Sequence, residues 1–182
     1  YSVAKEADYQ SNLINGPYAD SGLARLFARV KGKGDTVLIE DFTPYAPSTD
    51  QAAAFMAREL IADGESWVVA VQLSIDRINS VMQVREGMGS SGETYLVGPD
   101  QRMRSDSFLD PVRRTVLASF AGNVAENGVQ TAASQAALQG QAGLSYIDDY
   151  NNNPVVSAYS PLDIFGLRWA LLAEIDVAEV AA

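Results

Sequence analysis

Cysteine and histidine are both absent from this 182-residue chain. Their absence removes disulfides, thiolate nucleophiles, zinc–thiolate and iron–sulfur sites, imidazole bases and most transition-metal centres. Long hydrophobic runs are missing too. No window approaches the ~18–20 apolar residues of a membrane-spanning helix, and the run Trp67 to Val71 is strand-sized. Positive charge is scarce, with 13 Lys and Arg against 23 Asp and Glu and a net charge of −10. Affinity for nucleic acid or anionic lipid rests on Lys and Arg against phosphate, so neither is an expected partner. The lack of cysteine is compatible with an oxidising compartment.

What is present is an ordinary globular composition, 47% apolar and 20% charged. At ~100–150 residues per domain the length admits one domain or two small ones, with ~68–70% of the unfolded surface buried on folding. The chain opens without an initiator Met, a basic n-region or a hydrophobic h-region. Tyr1-Ser2-Val3-Ala4 reads as the interior of a strand, so the expectation is a piece of a larger protein.

Along the chain, Asp8 to Asn12 reads as loop and Asn15-Gly16-Pro17 as turn. Asp20 or Ser21 then caps a helix whose apolar positions Leu23, Leu26, Phe27 and Val30 recur at helical spacing, and Gly32 and Gly34 close it. Strands are predicted at Thr36 to Phe42, about Ala53 to Ile61, and Trp67 to Leu73, the last two joined by a turn at Ala62-Asp63-Gly64-Glu65. The apolar run in the third strand predicts burial on both faces. A helix from Ser74 carries Ile75, Ile78, Val81 and Met82 on one face and ends in the glycine-rich stretch Gly87 to Gly92. Thr94 to Val97, a Gly98-Pro99-Asp100 turn and Met103 predict a hairpin. Pro111 to Val124 reads as helical with Val112, Val116, Leu117 and Phe120 inward, and Gln130 to Leu138 as another helix. Strands at Gly143 to Asp149, Val155 to Tyr159 and Leu167 to Ile175 complete the chain.

The order repeats. Each half closes with a three-stranded antiparallel meander preceded by a helical or loop crossing, the order of a PAS-like module with a five-stranded sheet. The expected fold class is therefore α+β, two tandem PAS-like modules at 1–73 and 74–182, the second with all its strands and the first lacking its N-terminal strand.

Specific residues carry a family resemblance. Gly89 to Asp100, followed by Met103-Arg104-Ser105-Asp106-Ser107, resembles the hairpin of the membrane-proximal module of double-Cache sensor domains. Pro154 to Ile164 with Trp169 to Asp176 is similar to that module's closing strands, and Asp41 to Ser48 with Asn12 through Ala24 to the membrane-distal module. The resemblance implies the extracytoplasmic, periplasmic sensing region of a membrane-anchored bacterial receptor: a chemotaxis transducer, a sensor histidine kinase or a nucleotide cyclase. It also implies a small-molecule ligand in the distal module, a homodimer in the whole receptor and no catalysis. A long N-terminal helix beside both modules is a family feature missing from this sequence, and Ala173 to Ala182 resembles the lead-in to a second span.

Among candidate sites, Gly87, Gly89 and Gly92 fit G-x-G-x-x-G but follow a helix and precede a strand, the inverse of a dinucleotide fingerprint, so a structural loop is expected. Asp148, Asp149, Asn151 and Asn153 have oxygen ligands for Ca²⁺ without the loop spacing it needs, which favours turn chemistry. Ser90, Ser91, Ser105 and Ser107 lack a G-x-S-x-G elbow and a histidine base. No metal and no cofactor is expected.

The aromatic and polar cluster of the first half is the stronger candidate. Tyr9, Asn12, Tyr18, Asp20 and Ser21 lie in the connection covering the sheet, and Phe42, Tyr45, Phe55 and Arg58 on or beside its strands. Small-ligand pockets combine apolar walls with a few placed polar groups, which this set supplies. The Tyr, Arg, Trp, Tyr, Asp constellation of the family's amino-acid-binding members is not recognisable, since Trp67 sits in the last strand of its module. In the second half Tyr95, Arg102, Arg104, Asp106, Tyr150 and Tyr159 are candidates for a smaller pocket, with Arg104 and Asp106 read as an ion pair or turn anchor. Besides ligand sensing, the residues allow a structural module serving dimerisation or docking of a periplasmic binding protein.

Overall fold

The computed structural model describes residues 7–181. The extended reading of Tyr1 to Ala4, and with it the incomplete first strand, lies outside the described residues. The chain forms two compact units that divide between Leu73 and Ser74, with Phe165–Leu167 grouped with the first.

In unit 1, helix α1 (Gly22–Val30) begins where Ser21, in extended backbone, accepts a 3.2 Å hydrogen bond from the Ala24 amide on its Oγ. Of the two caps the sequence offered, Ser21 takes the role. The helix buries Ala24, Leu26 and Val30 and ends where Lys31 turns extended and Gly32 takes φ +75°. Strands β1 (Leu38–Tyr45), β2 (Gln51–Ala62) and β3 (Glu65–Gln72) form an antiparallel sheet in that order. The β2–β3 hairpin closes through Asp63 and Gly64, both at positive φ (52° and 79°), the backbone of the turn type that matches strand twist. Between Glu40 and Thr43 the β1 register gains one residue against β2, a bulge. Leu26 and Val30 pack with Tyr45, Ala53, Phe55 and Ala57 as the core.

The third strand departs from its reading. Val68 packs on the core, but Trp67, Val69 and Val71 are 57%, 49% and 49% exposed. An apolar run marks burial on both faces only in an interior strand, and β3 is at the edge of its sheet.

In unit 2, Ser74 caps α2 (Ile75–Met82) by accepting from the Arg77 amide. Strands β4 (Glu93–Val97), β5 (Gly143–Asp148), β6 (Pro154–Ile164) and β7 (Leu167–Asp176) make a sheet of order β4-β7-β6-β5. The predicted five strands are four, because the return arm of the first hairpin is reduced to the single bridge Val97–Met103. Helices α3 (Val116–Ala121), α4 (Val124–Asn127) and α5 (Ala132–Leu138) lie in the crossing, followed after β7 by the short α6 (Val177–Val180).

The helix read over Pro111 to Val124 is shorter than expected. The Ser107 amide donates to the Arg114 carbonyl and the Arg113 amide to the Asp110 carboxylate, so 110–114 is a turn. Thr115 is the actual cap, accepting from the Ala118 amide at 3.0 Å. Val116 is buried as predicted, whereas Val112 and Leu117 are exposed. Helix α5 keeps its reading, closed by a reciprocal Thr131–Ser134 capping box.

Candidate functional site

The start of α1 abuts the β1 bulge. A Cβ added at Gly22 would stand 3.0 Å from Thr43 Oγ1 and 3.5 Å from Glu40 Cγ, so the helix start fits closely against the strand and a larger residue would have to push the Thr43 side chain aside. Glu40 then ties the helix to the strand, receiving Arg25 Nε and Arg29 Nη1 at 2.6 Å each. Beside this junction Phe42 is 2% exposed.

Of the nine residues singled out from the sequence, Asp20 offers its carbonyl to Arg25 Nη1 at 2.9 Å, and the others fall into distinct roles. Asn12 Oδ1 accepts from the amides of Ile14 and Asn15, folding its loop on itself. Ser21 is spent on the α1 cap. Tyr45 and Phe55 meet edge to face with ring centroids 4.8 Å apart inside the core, and Tyr45 Oη donates to Asp8 Oδ2 at 2.5 Å. Arg58 is exposed beside Asp35 at 3.8 Å, and strand alternation puts it on the opposite sheet face from Phe55. Tyr9 and Tyr18 are half-buried in the covering loop. The structure thus joins Tyr45 to Phe55 and separates both from Arg58.

Sequence reading missed a cavity of about 460 Å³ on the outer side of α1, walled by Leu13, Ile14 and Ala19 of the loop and by Ala24, Phe27 and Ala28 of the helix, with Arg25 and Lys31 also lining it. None of the nine candidates lines it. The signal was a second apolar stripe at Ala24, Phe27 and Ala28, continued by Lys31 at the same three- and four-residue spacing.

Unit 2 holds a buried polar network instead. Glu93, 2% exposed, accepts from Ser107 Oγ (2.7 Å), from the Phe108 and Leu109 amides (3.0 and 3.2 Å) and from Tyr150 Oη. Glu174, 4% exposed, accepts from Tyr95 Oη at 2.6 Å and Ser157 Oγ at 2.8 Å. The Tyr95 and Tyr150 rings pack edge to face, 5.6 Å apart, and the Arg114 guanidinium lies 5.1 Å above Tyr150. Burial, more than the neighbouring carboxylates, raises the Tyr95 and Tyr150 hydroxyls above the usual phenol range. Burial likewise raises the Glu174 carboxyl.

The other second-half candidates are structural. Arg104 pairs with Asp100 at 2.8 Å. Asp106 accepts from the Val116 amide and Asn79 Nδ2. Arg102 donates to the Ser119 carbonyl, and Tyr159 is half-buried on β6. Asp149 Oδ1 accepts from the Asn151 and Asn153 amides, the turn chemistry expected there. Among the described residues no group of three or more carboxylates, histidines or cysteines is placed to hold a metal.

No family model matches the chain, and no curated protein does. Solved structures do. The periplasmic sensory domain of the Campylobacter jejuni chemoreceptor Tlp1 superposes with a TM-score of 0.63 at 14% identity, over 88% of this chain and 56% of its own. The extracellular domain of mmHK1S-Z2, named as a histidine kinase, does so at 0.57 and 16% identity, over 94% and 64%. The ligand-binding domain of the Pseudomonas fluorescens chemoreceptor CtaA, solved with L-leucine, does so at 0.51 and 16% identity, over 85% and 59%. The chain spans about three-fifths of the length of these structures. The likeness shows the fold alone, the α+β fold that these domains share.

Proposed function

We propose that this chain, which has the fold of a double-Cache sensory domain, is the extracytoplasmic part of a membrane-anchored, dimeric signal-transduction receptor. In this reading it binds a small molecule and catalyses no reaction. Unit 1 is the membrane-distal module and unit 2 the membrane-proximal one. A chemotaxis transducer is the preferred output, with a histidine kinase or cyclase next.

The observation that carries this reading is the shared fold over 88% of the chain with the Tlp1 sensory domain. The residues agree with it, because a module that binds and moves needs no nucleophile, base or metal. Ligand binding shifts a receptor only through differential affinity for two arrangements, with ~1–3 kcal/mol a typical coupling. The ligand site is assigned to the loop 8–21 where it meets α1 and β1, with Tyr9, Tyr18 and Phe42 as contact groups and Asn12 and Ser21 shaping the loop. The test is thermal unfolding of the chain against a panel of amino acids, organic acids and polyamines. One chemical class raises the melting temperature if the reading holds; a panel with no effect on the folded protein overturns it.

A second reading, a structural module for dimerisation or for docking a binding protein, is favoured by the closed packing. Tyr45 and Phe55 fill the unit 1 core, and Tyr95 and Tyr150 are bonded to buried carboxylates in unit 2. It predicts a silent panel together with a dimer at micromolar concentration.

A further inference from the structure

The glycine-rich loop before β4 holds a carboxylate from the far end of the chain. Glu179 Oε1 accepts from the Ser90 amide at 2.7 Å. Its Oε2 accepts from the Ser91 amide at 2.8 Å, from Ser90 Oγ at 3.0 Å and from Ser91 Oγ. Ser91 Oγ also accepts from the Asp176 amide at 3.1 Å, so one hydroxyl joins the end of β7 to the carboxylate on α6.

The seat is preorganised from behind. Arg85 donates to the carbonyls of Gly89 (3.1 Å), Ser90 (2.7 Å) and Gly92 (2.7 Å), and it is held over the Phe108 ring at 4.0 Å. The Gly89 carbonyl and the Ser90 amide belong to one peptide plane, and the Ser90 carbonyl and the Ser91 amide to the next. A trans peptide points its C=O and N–H in opposite directions. Two aligned peptide dipoles therefore stand between a guanidinium and a carboxylate, each bond polarising the next. Gly89 sits at φ +65°, and a Cβ there would lie 2.2 Å from Glu179 Oε1. Those hydroxyl and amide donors hold the Glu179 carboxyl down to about 2.

We infer that Glu179 is a latch on the C-terminal segment: its carboxylate, seated in the loop Gly89 to Ser91, determines whether the turn Val177–Val180 moves with the unit 2 sheet or independently of it. The latch itself stands without the sensory reading; only its use as the point where a shift leaves the module rests on that reading.

Hydrogen exchange on the whole chain tests it without any ligand. Glu179→Gln replaces an acceptor-only carboxylate by an amide whose NH₂, in either orientation, faces a backbone N–H donor, that of Ser90 or that of Ser91. Gly89→Ala keeps Glu179 and blocks its seat. Both variants should speed exchange at Ser90, Ser91 and residues 178–181 at least tenfold, with the β4 and β7 amides unchanged. Unchanged exchange at 178–181 in Glu179→Gln overturns the latch. Equal acceleration throughout β4 and β7, or failure of both variants to fold, also overturns it, since Glu179 would then support the sheet as a whole. A released segment in a chain that answers no ligand leaves the latch standing and removes the sensory reading.

Discussion

Glu93 on β4 and Glu174 on β7 are direct cross-strand partners, and both are buried. Like charges directly opposite each other in a sheet destabilise it, and burial of a lone carboxylate costs more. The pair is tolerated because each is enclosed by donors: Tyr150, Ser107 and two amides for Glu93, Tyr95 and Ser157 for Glu174.

Burial raises the Glu174 carboxyl above its ordinary value of 4.5, with Asp149 and Glu93 adding to the rise. The folded protein therefore keeps a proton that the unfolded chain releases. The resulting stabilisation is fully present below the unfolded value and is lost as the pH rises through the folded one. Glu174→Gln retains an acceptor for Tyr95 and removes the titration. Its melting temperature should fall less than that of the wild type between pH 5 and 8 in calorimetry; parallel curves would show that Glu174 is not the titrating group.

In unit 1, the Tyr45–Asp8 bond pins the covering loop to the sheet. A hydrogen bond to a charged partner contributes about 1.5–3 kcal/mol. Tyr45→Phe should lower the urea stability of unit 1 by that order and speed exchange over residues 8–12, with the unit 2 amides unaffected. An unchanged urea midpoint would show that the loop is held by other contacts.

Core and edge should respond differently to truncation. Leu26 is fully buried between α1 and the sheet, so Leu26→Ala should cost about 2–5 kcal/mol. Trp67 is 57% exposed on the edge strand, and Trp67→Ser should stay within about 0.5 kcal/mol, as surface substitutions usually do. A large loss at Trp67 in urea unfolding would mean that its face is covered in solution.

The local features were legible in the sequence because their signals are local. Ser21 and Ser74 precede apolar periodicity and do cap helices, and Asp63-Gly64 closes the predicted hairpin. The closing meanders were readable from strand-length apolar runs between turn residues. What failed depends on distant partners. The exposure of β3 follows from its edge position, which no residue within the strand encodes. The truncated helix before Val116 follows from Asp110 and Ser107 drawing 110–114 into a turn. Tyr95 was singled out, but its partner Glu174 lies 79 residues away and was not. Glu179 was invisible for the same reason, as nothing near it in sequence announces a seat at Gly89 to Ser91. In the unit 1 cluster, residue type pointed to Tyr45 and Phe55 as readily as to Tyr18, and only packing separates core from lining.

The central claim, a small-molecule site in unit 1, is tested most directly by hydrogen exchange with and without a compound that raises the melting temperature. Protection confined to residues 8–30 and to the β1 bulge around Phe42, and abolished by Tyr18→Ala in a protein that still folds, is the predicted result. Protection confined to unit 2, or binding unchanged in Tyr18→Ala, would contradict it.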